Sequence, residues 1–172
     1  MRPSIPHLLI LLLLLSAAAA SVEESCKAIS AARPNIGYEF CVASLSSDPA
    51  SHTAGPCGLA IVAAKLSVAN ATRIVSKIGS LMEEESNPSL KDCLSVCSEV
   101  YSEAIDHLNE AITDLDSEKY KDAMVFLSAA LDASDNCEEA FDEEGEESPL
   151  AAEDKDYGRL ADIALTIAAS LG

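Results

Sequence analysis

Leu94, Cys97, Tyr101, Ala104, Leu108, Ala111 and Leu115 stand at alternating steps of three and four along the chain. Steps of that size place all seven on one helix face, because an α-helix turns once in 3.6 residues. The other face holds Glu99, Glu103, Asp106, Asn109 and Glu110, a solvated side. The same period appears upstream at Leu59, Val62, Leu66, Ala69, Ile74, Ile78 and Leu81, with one irregular step near Arg73. Gly79 and Asn87-Pro88 mark where that helix is expected to stop. Downstream, Tyr120, Met124, Leu127 and Leu131 form a third stripe, in a helix expected over Lys119 to Ala133. Asp135 to Phe141 reads as a short continuation. Asp142 to Asp156 is acidic, carries Gly145 and Ser148-Pro149, and reads as an exposed loop. A last helix uses Leu160, Ile163, Ala164, Ile167 and Leu171. No strand pattern of any length occurs. Four long helices with short turns predict an all-α fold, an antiparallel four-helix bundle.

Ahead of the bundle, two short apolar pieces surround Arg33-Pro34-Asn35-Ile36-Gly37, where Pro34 and Gly37 break any continuous helix. Cys26 and Cys41 flank the break, and a bridge between them would make an N-terminal helical hairpin. Asp48 to Pro56 is a linker by composition. Ser89 with Asp92 three residues on gives a weak capping box for the helix that follows.

The first twenty residues stand apart. Arg2, the apolar run Leu8 to Leu15 and the small residues Ser16 to Ala20 have the three-part form of a secretory signal. The run is too short for a membrane span, which takes roughly 20 residues. Residues 1–20 are therefore read as a signal peptide, and 21–172 as one secreted domain without a membrane anchor. Ten basic and 29 acidic residues follow position 20, a formal charge of −19. Such a surface repels nucleic acid and anionic membrane, and it favours a basic protein partner through long-range attraction.

Export changes how the six cysteines are read. Cys26, Cys41, Cys57, Cys93, Cys97 and Cys137 form an even set in an oxidising compartment, which implies disulfides and not a metal site. Cys93 and Cys97 lie one turn apart on one helix face, with no further ligands in a metal-binding pattern. Fifteen pairings of six cysteines exist, and spacing alone does not choose among them. His52 sits in the linker and His107 inside a helix, neither beside a nucleophile or a metal cluster. The runs Glu83 to Glu85 and Glu143 to Glu147 lack the ligand spacing of a calcium loop. No cofactor is expected. Asn70-Ala71-Thr72 is an N-glycosylation acceptor triplet, and Asn87-Pro88-Ser89 is blocked by its proline.

The order of motifs is informative as a whole. Cys26-Lys27 leads to Phe40-Cys41-Val42 and Leu45-Ser46-Ser47-Asp48-Pro49. Cys97-Ser98-Glu99-Val100-Tyr101 follows, then Leu127-Ser128-Ala129-Ala130-Leu131 and Cys137-Glu138-Glu139-Ala140-Phe141. Together these resemble the plant invertase and pectin methylesterase inhibitor family over essentially all of 21–172. The resemblance implies a helical hairpin packed on a four-helix bundle, with bridges Cys26–Cys41 and Cys97–Cys137. Cys57 and Cys93 are then additional, and a Cys57–Cys93 bridge is expected between them.

The resemblance also implies inhibition without catalysis. The leading expectation is an apoplastic inhibitor that binds pectin methylesterase in a 1:1 complex and covers its pectin-binding cleft. The alternative partner is acid invertase, and a third reading is a bundle that inhibits nothing. Invertase inhibitors resemble one another in a Pro-Lys-Phe motif, whose place is taken here by Glu118-Lys119-Tyr120. Those three residues are the expected partner contact on the invertase reading. Without the proline, the presented loop loses a fixed φ.

Overall fold

The computed structural model describes residues 21–172, so the signal expected over 1–20 lies outside the described residues. Two short helices come first: α1 (Val22–Ala32) and α2 (Tyr38–Ser46). Ser21 caps α1 by accepting from the Glu24 amide, and Glu23 and Glu24 put negative charge at its positive end. The bridge Cys26–Cys41 closes the two helices into a hairpin, with Cα atoms 5.6 Å apart. The linker is not featureless. Its Pro49–His52 segment winds into a 3-10 turn, which Asp48 caps.

Four long helices follow: α3 (Pro56–Glu84), α4 (Pro88–Asp116), α5 (Tyr120–Glu144) and α6 (Ala151–Ala169). Each packs on its two neighbours, so α3–α4–α5–α6 close into a square ring. The connections are short, and consecutive helices therefore run antiparallel, as the pattern predicts. The ring core is lined by Leu59, Ile74, Ile78, Leu108, Leu115, Leu127, Tyr101, Tyr157 and Phe141, each almost entirely buried. Alanines from every long helix fill the seams between these large side chains.

Several boundaries differ from the expectation. Gly79 does not end α3, which runs on to Glu84. A helical glycine costs about 1 kcal/mol, and burial of Ile74 and Ile78 on the same helix outweighs it. On α3 the buried stripe passes through Ser67 and Ala71, while Ala69 is exposed. The cap of α4 is Asn87, whose side chain accepts from the Ser89 amide, with Pro88 in the first turn. Ser89 is thus inside the helix and is not its cap. The largest change is at the acidic segment, where α5 continues without a break to Glu144 and α6 starts at Ala151. Glutamate is a good helix former in solvent, so acidity alone did not mark a loop.

Gly145 supplies the actual stop. Its φ of 68° is left-handed, and its amide and that of Glu146 return to the Asp142 and Phe141 carbonyls. Gly145→Ala is expected to cost about 1 kcal/mol, since only a Cβ in left-handed backbone changes. Urea unfolding measures this, and an unchanged midpoint would contradict the role given to the turn.

The bridge Cys97–Cys137 joins α4 to α5 in the core, with Cα atoms 4.6 Å apart. The expected Cys57–Cys93 bridge is not formed. Cys57 begins α3 and its thiol donates to the Leu115 carbonyl, at the far end of α4. Cys93 is near the start of α4 and donates to Ala140 of α5. From Cys93 to Leu115 is 22 residues of helix, about 33 Å at 1.5 Å per residue. A disulfide needs Cα atoms within about 7 Å. Antiparallel packing of α3 on α4 therefore puts the two thiols at opposite ends of the bundle.

Candidate functional site

The residues Glu118, Lys119 and Tyr120 form the tight turn between α4 and α5. Glu118 has φ 58°, the one non-glycine positive φ among the described residues. Its amide returns to Leu115, and the Lys119 amide to Asp114. Lys119 is well exposed, and its ammonium lies 3.7 Å from the Asp114 carboxylate. Tyr120 is not presented to solvent in the same way. It is half-buried against the core, within hydrogen-bonding reach of the Cys57 thiol. Burial, then the charges of Glu118 and Asp116, push the Cys57 thiol up, so it stays protonated as a donor. The turn thus offers one exposed cation, already paired with Asp114, and its aromatic ring is committed to packing.

The broad outer face of α4 and α5 has a different character. Glu99, Glu103, Asp106 and Glu110 are exposed along α4, at steps of four, three and four. Asp122, Asp132, Asp135 and Glu139 are exposed along α5. The two helices hold fifteen carboxylates between them, against Lys91 and Lys121 alone. Val125, the most exposed large apolar side chain among the described residues, sits on this face with Ser128 and Ala129 beside it. By contrast α3 holds Lys65, Arg73 and Lys77 against only Glu83 and Glu84. The molecule's negative charge is therefore lopsided, and the α4–α5 side carries it.

The remaining predicted residues fall elsewhere. Asn70 lies in mid-α3, half-buried, with Oδ1 enclosed and without a hydrogen-bond partner. His107 is half-buried on α4 and packs on the Phe126 ring, the centroids 5.9 Å apart. His52 is exposed in the 3-10 turn. Three groupings had no signal in the pattern. Arg33 lies 3.5 Å from the buried Asp162 of α6, and the Arg159 guanidinium stacks 3.6 Å above the Phe40 ring. These two contacts seat the hairpin on the bundle. Third, Tyr101, Glu138 and Asp154 meet under α6.

Such a molecule is a disulfide-braced helical bundle with a charged outer face suited to docking on another protein. The family model described as plant invertase/pectin methylesterase inhibitor matches residues 20–167. The chain belongs to that family, and it is an inhibitor-type protein and not an enzyme. It is 41% identical over 152 residues to a "Putative invertase inhibitor" of Platanus acerifolia, covering 88% of this chain and 85% of that protein. It is 34% identical over 103 residues to a "Pectinesterase inhibitor" of Actinidia deliciosa, covering 60% of this chain and 56% of that one. Its fold is similar to a mutant form of a pectin methylesterase inhibitor from Arabidopsis, with TM-score 0.70 and 25% identity. That match covers 83% of this chain and 97% of the other.

Proposed function

We propose that this chain is an exported inhibitor of pectin methylesterase that binds one enzyme molecule through its α4–α5 face and blocks the pectin cleft. The acidic face carries the reading. A groove shaped to hold polyanionic pectin presents positive charge, and a polyanionic helix pair complements it. Val125 and Ala129, with Ser128 beside them, give that face a small uncharged centre framed by charge. The inward packing of Tyr120 supports the same choice, because the alternative contact tip would need its ring outside.

Inhibition of acid invertase is the second reading. It is favoured by the 41% and 40% identity to two Platanus proteins named as invertase inhibitors. On that reading Lys119 and the edge of Tyr120 make the contact. Residual activity of each enzyme, measured with the purified oxidised protein, separates the two. Loss of methylesterase activity at one inhibitor per enzyme is the expected result. Inhibition of invertase alone would overturn the proposal, as would inhibition of neither.

The surface can be tested by itself. Reversing Glu103, Asp106 and Glu110 to lysine is expected to weaken inhibition about tenfold or more at low salt. The gap should narrow as salt screens it, over a Debye length of about 8 Å at physiological strength. Equal inhibition by the variant at low salt would remove this face from the interface. Asn70 carries N-linked sugar on the same reading of an exported chain. Enzymatic deglycosylation of the secreted protein would then lower its mass, and an unmodified Asn70 peptide would reject the assignment.

A further inference from the structure

Under α6 two carboxyl groups face each other without a cation. Asp154 is 2% exposed and belongs to the first turn of α6. Its Oδ1 accepts from the Tyr101 hydroxyl of α4 at 2.5 Å. Its Oδ2 and Glu138 Oε1 of α5 are both buried, and neither has a hydrogen-bond partner. Ligand atoms of Cys137, Glu138 and Asp154 lie within 4.8 Å of one another. A metal is poorly served there, since the Cys137 sulfur is spent in the bridge to Cys97 and only two ligands remain.

We propose that Glu138 and Asp154 share one proton across the α5–α6 contact, and that its release to solvent as pH rises loosens α6 together with the hairpin seated on it. With one proton, one carboxyl donates to the other and both orphaned oxygens are satisfied. With none, two adjacent anions sit in a largely buried place, which is costly.

The surroundings do not supply a counter-charge. Tyr101 from α4 is a donor held neutral, its hydroxyl pushed far up by burial and by Asp154. Asp135 of α5 and Glu153 of α6 add negative charge nearby. Lys77 of α3 is drawn to Glu153, Arg159 to Asp156, and Arg33 to Asp162. Lys155 lines the same recess of about 460 Å³ but is exposed. Among the described residues no cation pairs with Glu138 or Asp154. Burial, then the contact with Glu138, raises the Asp154 carboxyl to about 8, and the Tyr101 donor offsets part of this.

The sign follows from that direction. An unfolded aspartate releases its proton near pH 4. Between about 4 and 8 the folded chain binds the extra proton, so stability is greatest below that window and falls through it. Over the window the native protein should lose about 10–20 °C more in Tm than Asp154→Asn. The asparagine amide can donate to Glu138 and its oxygen can still accept from Tyr101, so the variant keeps both contacts without a proton shared between two carboxyls. Parallel pH curves for the two proteins would overturn the proposal. A second measurement uses only the native chain: the carboxyl carbon of Asp154 followed by NMR. A midpoint well above 6 is expected, and one near 4 would overturn it whatever the variant does. Amide exchange completes the test. On passing from pH 5 to pH 8, after correction for intrinsic rates, 151–169 and the hairpin should open more than α3. Uniform protection would reject the loosening.

Discussion

Tyr157→Ala is expected to remove about 3–5 kcal/mol of stability, the range for deleting a large buried aromatic side chain. Tyr157 is fully buried in the centre of the ring. Its ring meets Tyr101 edge to face with centroids 4.9 Å apart, and its hydroxyl donates to the Ala130 carbonyl at 2.6 Å. Three helices therefore converge on this one side chain: α4 through Tyr101, α5 through Ala130, and α6 itself. The neighbouring Gly158 brings α6 so close to α5 that a Cβ there would lie 3.0 Å from Ser134 Oγ. A wall this tight leaves little room to collapse into the void. Tyr157→Phe separates packing from bonding, because it removes only the hydroxyl, worth about 1 kcal/mol. Urea unfolding of both variants decides. If phenylalanine costs as much as alanine, the packing account is wrong.

Replacing Cys97 and Cys137 together by serine should cost about 4 kcal/mol, the loop-closure value for a 40-residue span. For a domain of this size the loss corresponds to roughly 10 °C in Tm. The bridge is fully buried between α4 and α5, so two hydroxyls placed there would add to the loss. Cys57→Ser gives the contrast. Cys57 is half-buried and unbridged, and a serine hydroxyl can donate to the same Leu115 carbonyl. A change of less than about 1 kcal/mol is expected there. Scanning calorimetry of the oxidised proteins tests both, and similar losses at both sites would mean that cross-linking is not the cause.

Much of the architecture is legible in the sequence. The seam from Leu94 to Leu115 is buried at every one of its seven positions. Such legibility has a simple cause: a long amphipathic helix repeats its signal every turn, and one misplaced residue does not erase it. The end of α5 was harder to read. Residues 142–144 and 151–156 look like loop by charge, yet they are helix, because exposed glutamates follow the helix around them. The charge pattern places Asp154 in that loop, and it gives no sign of the residue's burial against Tyr101. The hairpin anchors Arg33, Phe40, Arg159 and Asp162 are individually unremarkable in the chain, and they acquire meaning only where two distant segments touch.

Cysteine pairing draws the line most clearly. Six cysteines behind a signal-like leader point to cross-links, and resemblance to the family singles out two pairs. The fate of Cys57 and Cys93 depended on the direction in which α3 lies on α4. Composition and periodicity establish how many helices form, which side of each is wet, and that the surface is acidic, since these follow from neighbours within a turn or two. Which carboxyl is buried, which thiols meet and which face gathers the charge are settled by contacts between residues tens of positions apart. Those contacts exist only once the helices have chosen their partners and directions.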